Sequence, residues 1–422
     1  MIESSAAPTR VLFVAEAVTL AHVARPVSLA RGLAAQGFTP VLAVDPRFAA
    51  VCPTEPWQTE PLTTISSARF LAALASGSPI YDLATLRAYV ESDLEVLRRV
   101  QPAVVVGDFR LSLAVSARLL QIPYINVTNA YWSPFARQRW HAPALPWVRL
   151  LPAAVADAAF RTARPLAFRI HAAPMAKLRR EHGLPSLGHD LLRVYTEGDI
   201  TLYADAPEHV PVFGAPASHR YLGPVPWSPA LPLPAWWPEL EANAKLIYVT
   251  LGSSGSAARL PGILEGLARL GLPVVVALAG APAPERSPPG VRFAPYLPGD
   301  LVARRSALVV CNGGSPTSQQ ALAHGVPVLA LPSNLDQFLN SSYLQAAGLA
   351  RWLRPEVATS AAIERAAKAL LDRGTRPPNA ANGQSAAPQP AEVLRAAIDE
   401  LIGVVPPPAH ERNRVDASGR AG

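Results

Sequence analysis

Cys311-Asn312-Gly313-Gly314-Ser315-Pro316-Thr317-Ser318-Gln319-Gln320-Ala321, running on to Gly325-Val326-Pro327 and then Asp336-Gln337, decides the reading of this 422-residue chain. It follows Ser306-Ala307-Leu308-Val309-Val310, an apolar run suited to a buried parallel strand, and leads into a helix-like segment rich in Ala, Gln and Leu. A strand, a glycine turn and a helix N-terminus together aim unpaired N–H groups and the positive end of a helix dipole at one point, which is a phosphate-binding geometry. A lone glycine pair is more often an unliganded strand-to-helix turn. The order of the elements around it favours a ligand.

The second half of the chain begins with Leu246-Ile247-Tyr248-Val249-Thr250, a strand, and Leu251-Gly252-Ser253-Ser254, a glycine turn. A helix from about 261 to 270 leads to a strand at 273–279. Further strands are expected at 291–296, 307–311 and 328–331, and helices at 359–371 and 391–402. The first half alternates in the same way. Strands are expected at 11–15, 40–44, 104–108 and 124–127, with a helix from Pro26 to Gln36 closed by Gly37 and another from Leu83 to Val100. Alternating strands and helices imply parallel doubly wound α/β sheets. Between 130 and 201 the pattern turns irregular, as a substrate-facing insertion would. Pro229, Pro232, Pro234 and the Trp236-Trp237 pair mark a linker, while 374–389 reads as a loop.

The stretch from Asn312 to Pro327, followed by Asp336-Gln337, resembles the donor-binding motif of family 1 glycosyltransferases. That motif is His-Gly-Gly-x-Gly-Thr-x-x-Glu-Ala-x-x-x-Gly-Val-Pro, then Asp-Gln, and the spacing from 312 to 327 matches without a gap. Gly313, Gly314, Thr317, Ala321, Gly325, Val326, Pro327, Asp336 and Gln337 keep the family's residue type. Asn312 stands where the family has His, Pro316 where it has Gly, and Gln320 where it usually has Glu. Leu222-Gly223-Pro224-Val225 is similar to a Gly-Pro marker near the end of the family's first domain.

The resemblance implies the GT-B fold, two Rossmann-like doubly wound parallel-sheet domains facing a cleft. The expected parts are an acceptor-binding domain at 1–226, a linker at 227–243, a donor-binding domain at 244–404 and a disordered tail at 405–422. It also implies a nucleoside-diphosphate sugar as co-substrate, with no metal and no other cofactor. Amides and hydroxyls of Ser253, Gly313, Gly314, Ser315 and Thr317 would meet the diphosphate, with Asn312 adding an amide donor and Pro316 removing one N–H. Tyr296, in Pro295-Tyr296-Leu297-Pro298, would stack on the base, where the family often has Trp-x-Pro-Gln and this chain has Gly299 in place of Gln. Gln320 would reach a ribose hydroxyl, and Asp336 and Gln337 would read the donor sugar. His22, in Thr19-Leu20-Ala21-His22-Val23, resembles the family's catalytic base in the loop after the first strand, and Asp108 its carboxylate partner. Here Ala21 replaces a Gly, and Pro26 lies one residue later than usual. The implied reaction is inverting transfer to a hydroxyl of an apolar small molecule or lipid. A non-catalytic nucleotide-sugar-binding auxiliary of a partner enzyme is the alternative suggested by the departures at Gly299, Asn312, Pro316 and Gln320. An epimerase would want an additional pair of carboxylates.

Composition bounds these readings. The net charge is +7 but only 16% of residues are charged, and the cations are nearly all arginine. From 131 to 193, Arg137, Arg139, Arg149, Arg161, Arg164, Arg169, Lys177, Arg179 and Arg180 alternate with Trp132, Trp140 and Trp147, a mix that fits an anionic membrane surface or a lipid-like acceptor. No nucleic-acid module accompanies the charge. Mean hydropathy is +0.17, and neither a long uncharged apolar run nor a secretory leader is visible, so a cytoplasmic location is expected. Two cysteines make no disulfide framework or metal cluster. Gly252-Ser253-Ser254-Gly255 lacks the Gly-x-Ser-x-Gly spacing of a hydrolase, and there is no Walker motif.

Overall fold

The computed structural model describes residues 9–241, 243–252, 257–374 and 388–404. Ser253, the 405–422 tail and most of the 374–389 loop lie outside them.

The first sheet contains β1 (Arg10–Ala15), β2 (Thr39–Val44), β3 (Gln58–Pro61), β4 (Val104–Asp108), β5 (Tyr124–Thr128), β6 (Ile200–Tyr203) and β7 (His219–Tyr221), in the order β3-β2-β1-β4-β5-β6-β7. The second contains β8 (Leu246–Thr250), β9 (Val274–Ala277), β10 (Val291–Ala294), β11 (Ser306–Cys311), β12 (Val328–Ala330) and β13 (Ala350–Trp352), in the order β10-β9-β8-β11-β12-β13. Every pairing in both sheets is parallel. Parallel strands are covered on both faces, which is why β1, β4, β8, β9 and β11 read as nearly unbroken Val/Leu/Ile runs.

The first sheet is wrapped by α1 (Leu20–Ala34), α2 (Ser67–Ser76), α3 (Leu83–Val100), α4 (Leu113–Leu119), α5 (Ala153–Glu181) and α6 (Leu191–Tyr195). The second carries α7 (Leu260–Ala268), α8 (Gly299–Arg305), α9 (Ser315–Ala323), α10 (Leu335–Ala346) and α11 (Ser360–Leu371), and the described chain ends in α12 (Pro390–Val404). Two Rossmann-like domains thus face each other in the GT-B arrangement. In each sheet the strand order reverses beside the first strand, between β1 and β4 and between β8 and β11. The crevice outside the carboxyl ends of such strands is where doubly wound sheets bind ligands.

Four expectations need correction. The helix expected from Pro26 begins at Leu20, so His22 sits in its first turn rather than in a loop, and Pro26 lies inside it. Proline removes the N–H that would bond the His22 carbonyl, but burial of Val23, Val27, Leu29, Ala30 and Leu33 outweighs that loss. The 130–201 insertion is dominated by one 29-residue helix, α5, which carries Pro165 and Pro174 internally. The 227–243 segment is no free linker: Trp237 is buried in the second domain's core, and Trp236 donates its indole N–H to the Phe293 carbonyl. Finally, α12 does not pack on the donor-side sheet. It crosses back to lie on α1, and Leu394, Ala397 and Ile398 complete the first domain's core. Its apolar stripe needs a partner, and α1 opens one at Gly32, where a side chain would sit 2.6 Å from the Ala391 Cβ.

Candidate active site between the two sheets

A cavity of about 480 Å³ runs between the domains. Its floor on the first-domain side comes from the two switch-point strands. His22 follows β1, and Asp108 ends β4. The imidazole Nδ1 lies 2.7 Å from Asp108 Oδ1, and Asp108 is buried while His22 opens to the cavity. An Arg25 guanidinium nitrogen stands 3.3 Å from the other carboxylate oxygen. The His22 ring stacks on Phe109 at 4.7 Å between centroids and 12° between planes. Phe109 holds φ +59°, a strained value for a bulky residue.

The next residue fixes that turn. Arg110 is fully buried, donating to Glu16 Oε2, Asp93 Oδ1 and the Thr63 carbonyl, each at 2.9 Å, under the Tyr89 ring. Burial pushes both the Glu16 and Asp93 carboxyls above their ordinary values, against the lowering pull of Arg110.

The second-domain wall is the N-terminus of α9. Gly313 adopts φ +80°, with its would-be Cβ 2.3 Å from Ser341 Oγ, so only glycine fits there. The two glycine amides are not the free donors the sequence suggests. The Gly313 N–H is directed at Cys311 Sγ at 3.3 Å, and the Gly313 carbonyl accepts from Asn340 Nδ2 at 2.8 Å. The Gly314 N–H is bound by Asn312 Oδ1 at 3.0 Å. The side chain that replaces the family's histidine therefore closes a turn upon itself. Ser315 and Thr317, with Pro316 between them, line the cavity at the first helical positions, where no intrahelical carbonyl reaches their N–H groups.

The remaining donor-side residues are placed as follows. Tyr296 lines the cavity, its hydroxyl close above Gly280. Gln320 reaches the cavity wall while its Nε2 donates to the Trp227 carbonyl at 3.0 Å. A side chain at Gly299 would meet Gln320 Oε1 at 2.4 Å, so the two departures from the family pattern are sterically matched. Asp336 Oδ1 accepts from Trp132 Nε1 of the first domain at 2.8 Å. Gln337 is buried, and its Oε1 accepts from the Ser333 N–H at 2.9 Å, tying the loop before α10 together. Ser253 lies outside the described residues. The structure thus brings His22, Asp108, Tyr296, Asn312, Gly314, Ser315, Thr317, Gln320, Asp336 and Gln337 around one cavity, with Gly313 behind its wall.

Sequence reasoning missed the residues that join the halves. Asn129 accepts from Arg25 at 3.1 Å through Oδ1 and donates through Nδ2 to Ser315 Oγ and to both Asp205 oxygens. Gln319 Nε2 adds bonds to the Ala204 carbonyl at 2.6 Å and to Asp205 at 3.2 Å. Burial pushes the Asp205 carboxyl up to about 6. Pairings across 76 to 186 residues make this cluster, and a local pattern carries no trace of it. The opposite end of the cavity is apolar, lined by Phe70, Ala73 and Leu74 of α2, Phe160, Ala163, Ala167 and Phe168 of α5, and Trp132, Leu145 and Trp147.

Comparison with known proteins gives this geometry a relative. Residues 262–400 match the erythromycin biosynthesis protein CIII-like C-terminal domain. The chain is 48% identical over 362 residues to a PGL/p-HBAD biosynthesis glycosyltransferase of Mycobacterium tuberculosis, covering 86% of this chain and 85% of the relative. It is 46% identical over 364 residues to a PGL/p-HBAD biosynthesis rhamnosyltransferase of Mycobacterium bovis, covering 86% and 81%. Among solved structures, the spinosyn rhamnosyltransferase SpnG complexed with thymidine diphosphate superposes with a TM-score of 0.60 at 18% identity, covering 97% of this chain and all of that one. With two catalogued relatives near half identity over most of its length and a GT-B architecture, the chain belongs to the macrolide-type family 1 glycosyltransferases.

Proposed function

We propose that this glycosyltransferase is inverting and metal-independent, and moves a sugar from a nucleoside diphosphate to a hydroxyl of an apolar small molecule or lipid. The observation that carries the reading is the His22–Asp108 pair at 2.7 Å, open to a cavity whose far wall is a helix N-terminus. With the Nδ1–H donated to Asp108, the neutral imidazole keeps its Nε2 lone pair for the acceptor. His22 takes the acceptor hydroxyl's proton as the oxygen attacks the anomeric carbon, and the bond to the diphosphate breaks on the opposite face. One displacement inverts the configuration. The charge left on the diphosphate is met by the Ser315 and Thr317 amides, their hydroxyls and the α9 dipole, so the step needs no divalent cation. Asp336 and Gln337 stand on the sugar side and Tyr296 on the base side. The relative named a rhamnosyltransferase and the structural neighbour holding thymidine diphosphate make thymidine-linked 6-deoxyhexoses the first donors to test. The apolar end formed by α2 and α5 fits the acceptor.

The auxiliary-protein reading draws on the glycine amides being spent inside the fold. The two readings part on turnover. Thermal shift against dTDP, UDP and GDP sugars should single out one nucleotide, with about 2.7 kcal/mol of stabilisation at a ligand concentration 100 times Kd. The purified chain should then glycosylate a phenol or long-chain alcohol with that donor. Donor binding without transfer or hydrolysis would leave only the auxiliary role, and no shift with any nucleotide would remove both.

A further inference from the structure

The outer face of α5 and the turn before it have no partner among the described residues. Of the eleven large hydrophobic side chains exposed among the described residues, six fall between 147 and 170: Trp147, Leu150, Leu151, Val155, Leu166 and Ile170. Leu150 is 83% exposed, Leu166 64% and Ile170 52%, well above what scattered surface hydrophobics need to be. Val155, Ala159, Leu166, Ile170 and Ala173 fall at i, i+4, i+11, i+15 and i+18, which on a helix is one stripe. The opposite face, with Phe160, Phe168, Ala172, Met175 and Leu178, is already buried. The stripe is therefore an additional apolar surface, beyond what the fold itself uses.

Its charge is one-sided. Arg169, Lys177 and Arg180, at i+14, i+22 and i+25, are exposed on or beside that stripe, and Arg169 and Arg180 make no ion pair among the described residues. The helix's two carboxylates are both consumed internally, Asp157 by His141 and Arg354, and Glu181 by Arg87. An exposed apolar stripe flanked by unneutralised cations complements an anionic bilayer, whose acyl boundary takes the Leu and Ile side chains and whose headgroups take the guanidinium groups. A second protein copy would offer the same positive charge and repel it.

The patch is continuous with the acceptor end of the cavity. Trp147 and Ala163 are exposed and also line the cavity, and Phe160, Ala167 and His171 continue the lining from the same helix. We propose that α5 and the 146–151 turn dock this enzyme on an anionic membrane surface, so that an amphiphilic acceptor enters the cavity from the lipid phase. The docking stands on the surface alone, whereas the entry route rests on the apolar-acceptor reading above.

Flotation of the purified full chain with vesicles tests it. Binding is expected to phosphatidylcholine–phosphatidylglycerol vesicles and to be much weaker with phosphatidylcholine alone or in high salt. The triple variant Leu150→Ser/Leu166→Ser/Ile170→Ser and the charge variant Arg169→Gln/Arg180→Gln should each lower partitioning by at least about tenfold. Both should keep the wild-type melting temperature and wild-type transfer to a short, water-soluble acceptor, since none of these five residues lines the cavity. The proposal is overturned if wild-type protein floats with neither vesicle, or if both variants float as well as wild type. It is also overturned if sedimentation shows a wild-type dimer that the serine variant converts to monomer, because the patch would then be a protein interface. Wild-type flotation without transfer to any acceptor would sink the entry route and the proposed reaction while leaving the docking intact.

Discussion

His22 gains its orientation from three neighbours that the fold collects from separate places: Asp108 at the end of β4, Phe109 beneath the ring, and Arg25 one helical turn on, steadying the carboxylate from its other oxygen. If the imidazole is the general base, His22→Ala should lower kcat by about 10²–10⁴-fold while leaving the nucleotide-induced thermal shift in place. Equal losses of turnover and of nucleotide binding would instead mark a structural residue. His22 and Asp108 were legible because one comes after an apolar strand and the other ends one, as in the family the sequence resembles. Phe109 was not, because its stacking depends on a positive φ that local sequence does not announce and that the buried Arg110–Glu16–Asp93 network imposes.

At the scale of elements, the strands of both sheet centres were readable as Val-rich runs, whereas β3, β6, β7 and β13 were not. β3, β7 and β13 carry polar or charged residues among their three or four positions and lack the apolar run that marks the equally short β9 and β12, while β6 closes the stretch whose pattern is irregular. Helix α5 was hidden for a different reason: Pro165 and Pro174 break the local rule, and Leu166 and Ile170 point outward, blurring the apolar face. The turn into α9 was legible in outline but not in its hydrogen bonds, since Asn312 and Cys311 take the glycine amides. Its tolerance can be measured. Gly313→Ala places a methyl 2.3 Å from Ser341 Oγ at φ +80°, whereas Gly271→Ala, at φ +71°, meets open space. Both variants carry the backbone strain of about 1 kcal/mol, and Gly313→Ala alone adds crowding, for a total of about 2–4 kcal/mol. Chemical denaturation should therefore separate the two variants clearly, and the nucleotide-induced shift should fall only for Gly313→Ala. Equal midpoints would mean that Ser341 gives way without cost.

Across the whole molecule, the domains are tied at both ends of the chain order. Among the described residues the last helix, α12, belongs to the first domain's core, so the described chain passes between the domains twice, a return that the loop composition of 374–389 does not by itself reveal. The polar seam is equally shared: Trp132–Asp336, Asn129–Ser315, Gln319–Asp205 and Arg354–Asp157 all cross it. Asp205 is the member of that seam with a pH signature. Burial is the dominant influence and lifts its carboxyl to about 6, although the Ala130 N–H at 2.6 Å, Asn129 and Arg25 pull it down. An acid held above its unfolded value, about 3.9, binds its proton more tightly in the folded chain. Its contribution to stability is therefore fully present below about pH 4 and is lost as pH rises through 6, amounting to about 2–3 kcal/mol. Asp205→Asn keeps an acceptor and donor in place without the titration. The stability of wild type relative to this variant should accordingly fall between pH 4 and 6 and level off above, a difference in which all other titrating groups cancel. Parallel stability profiles over that range would show that Asp205 has an ordinary carboxyl, and that water reaches the seam between the domains.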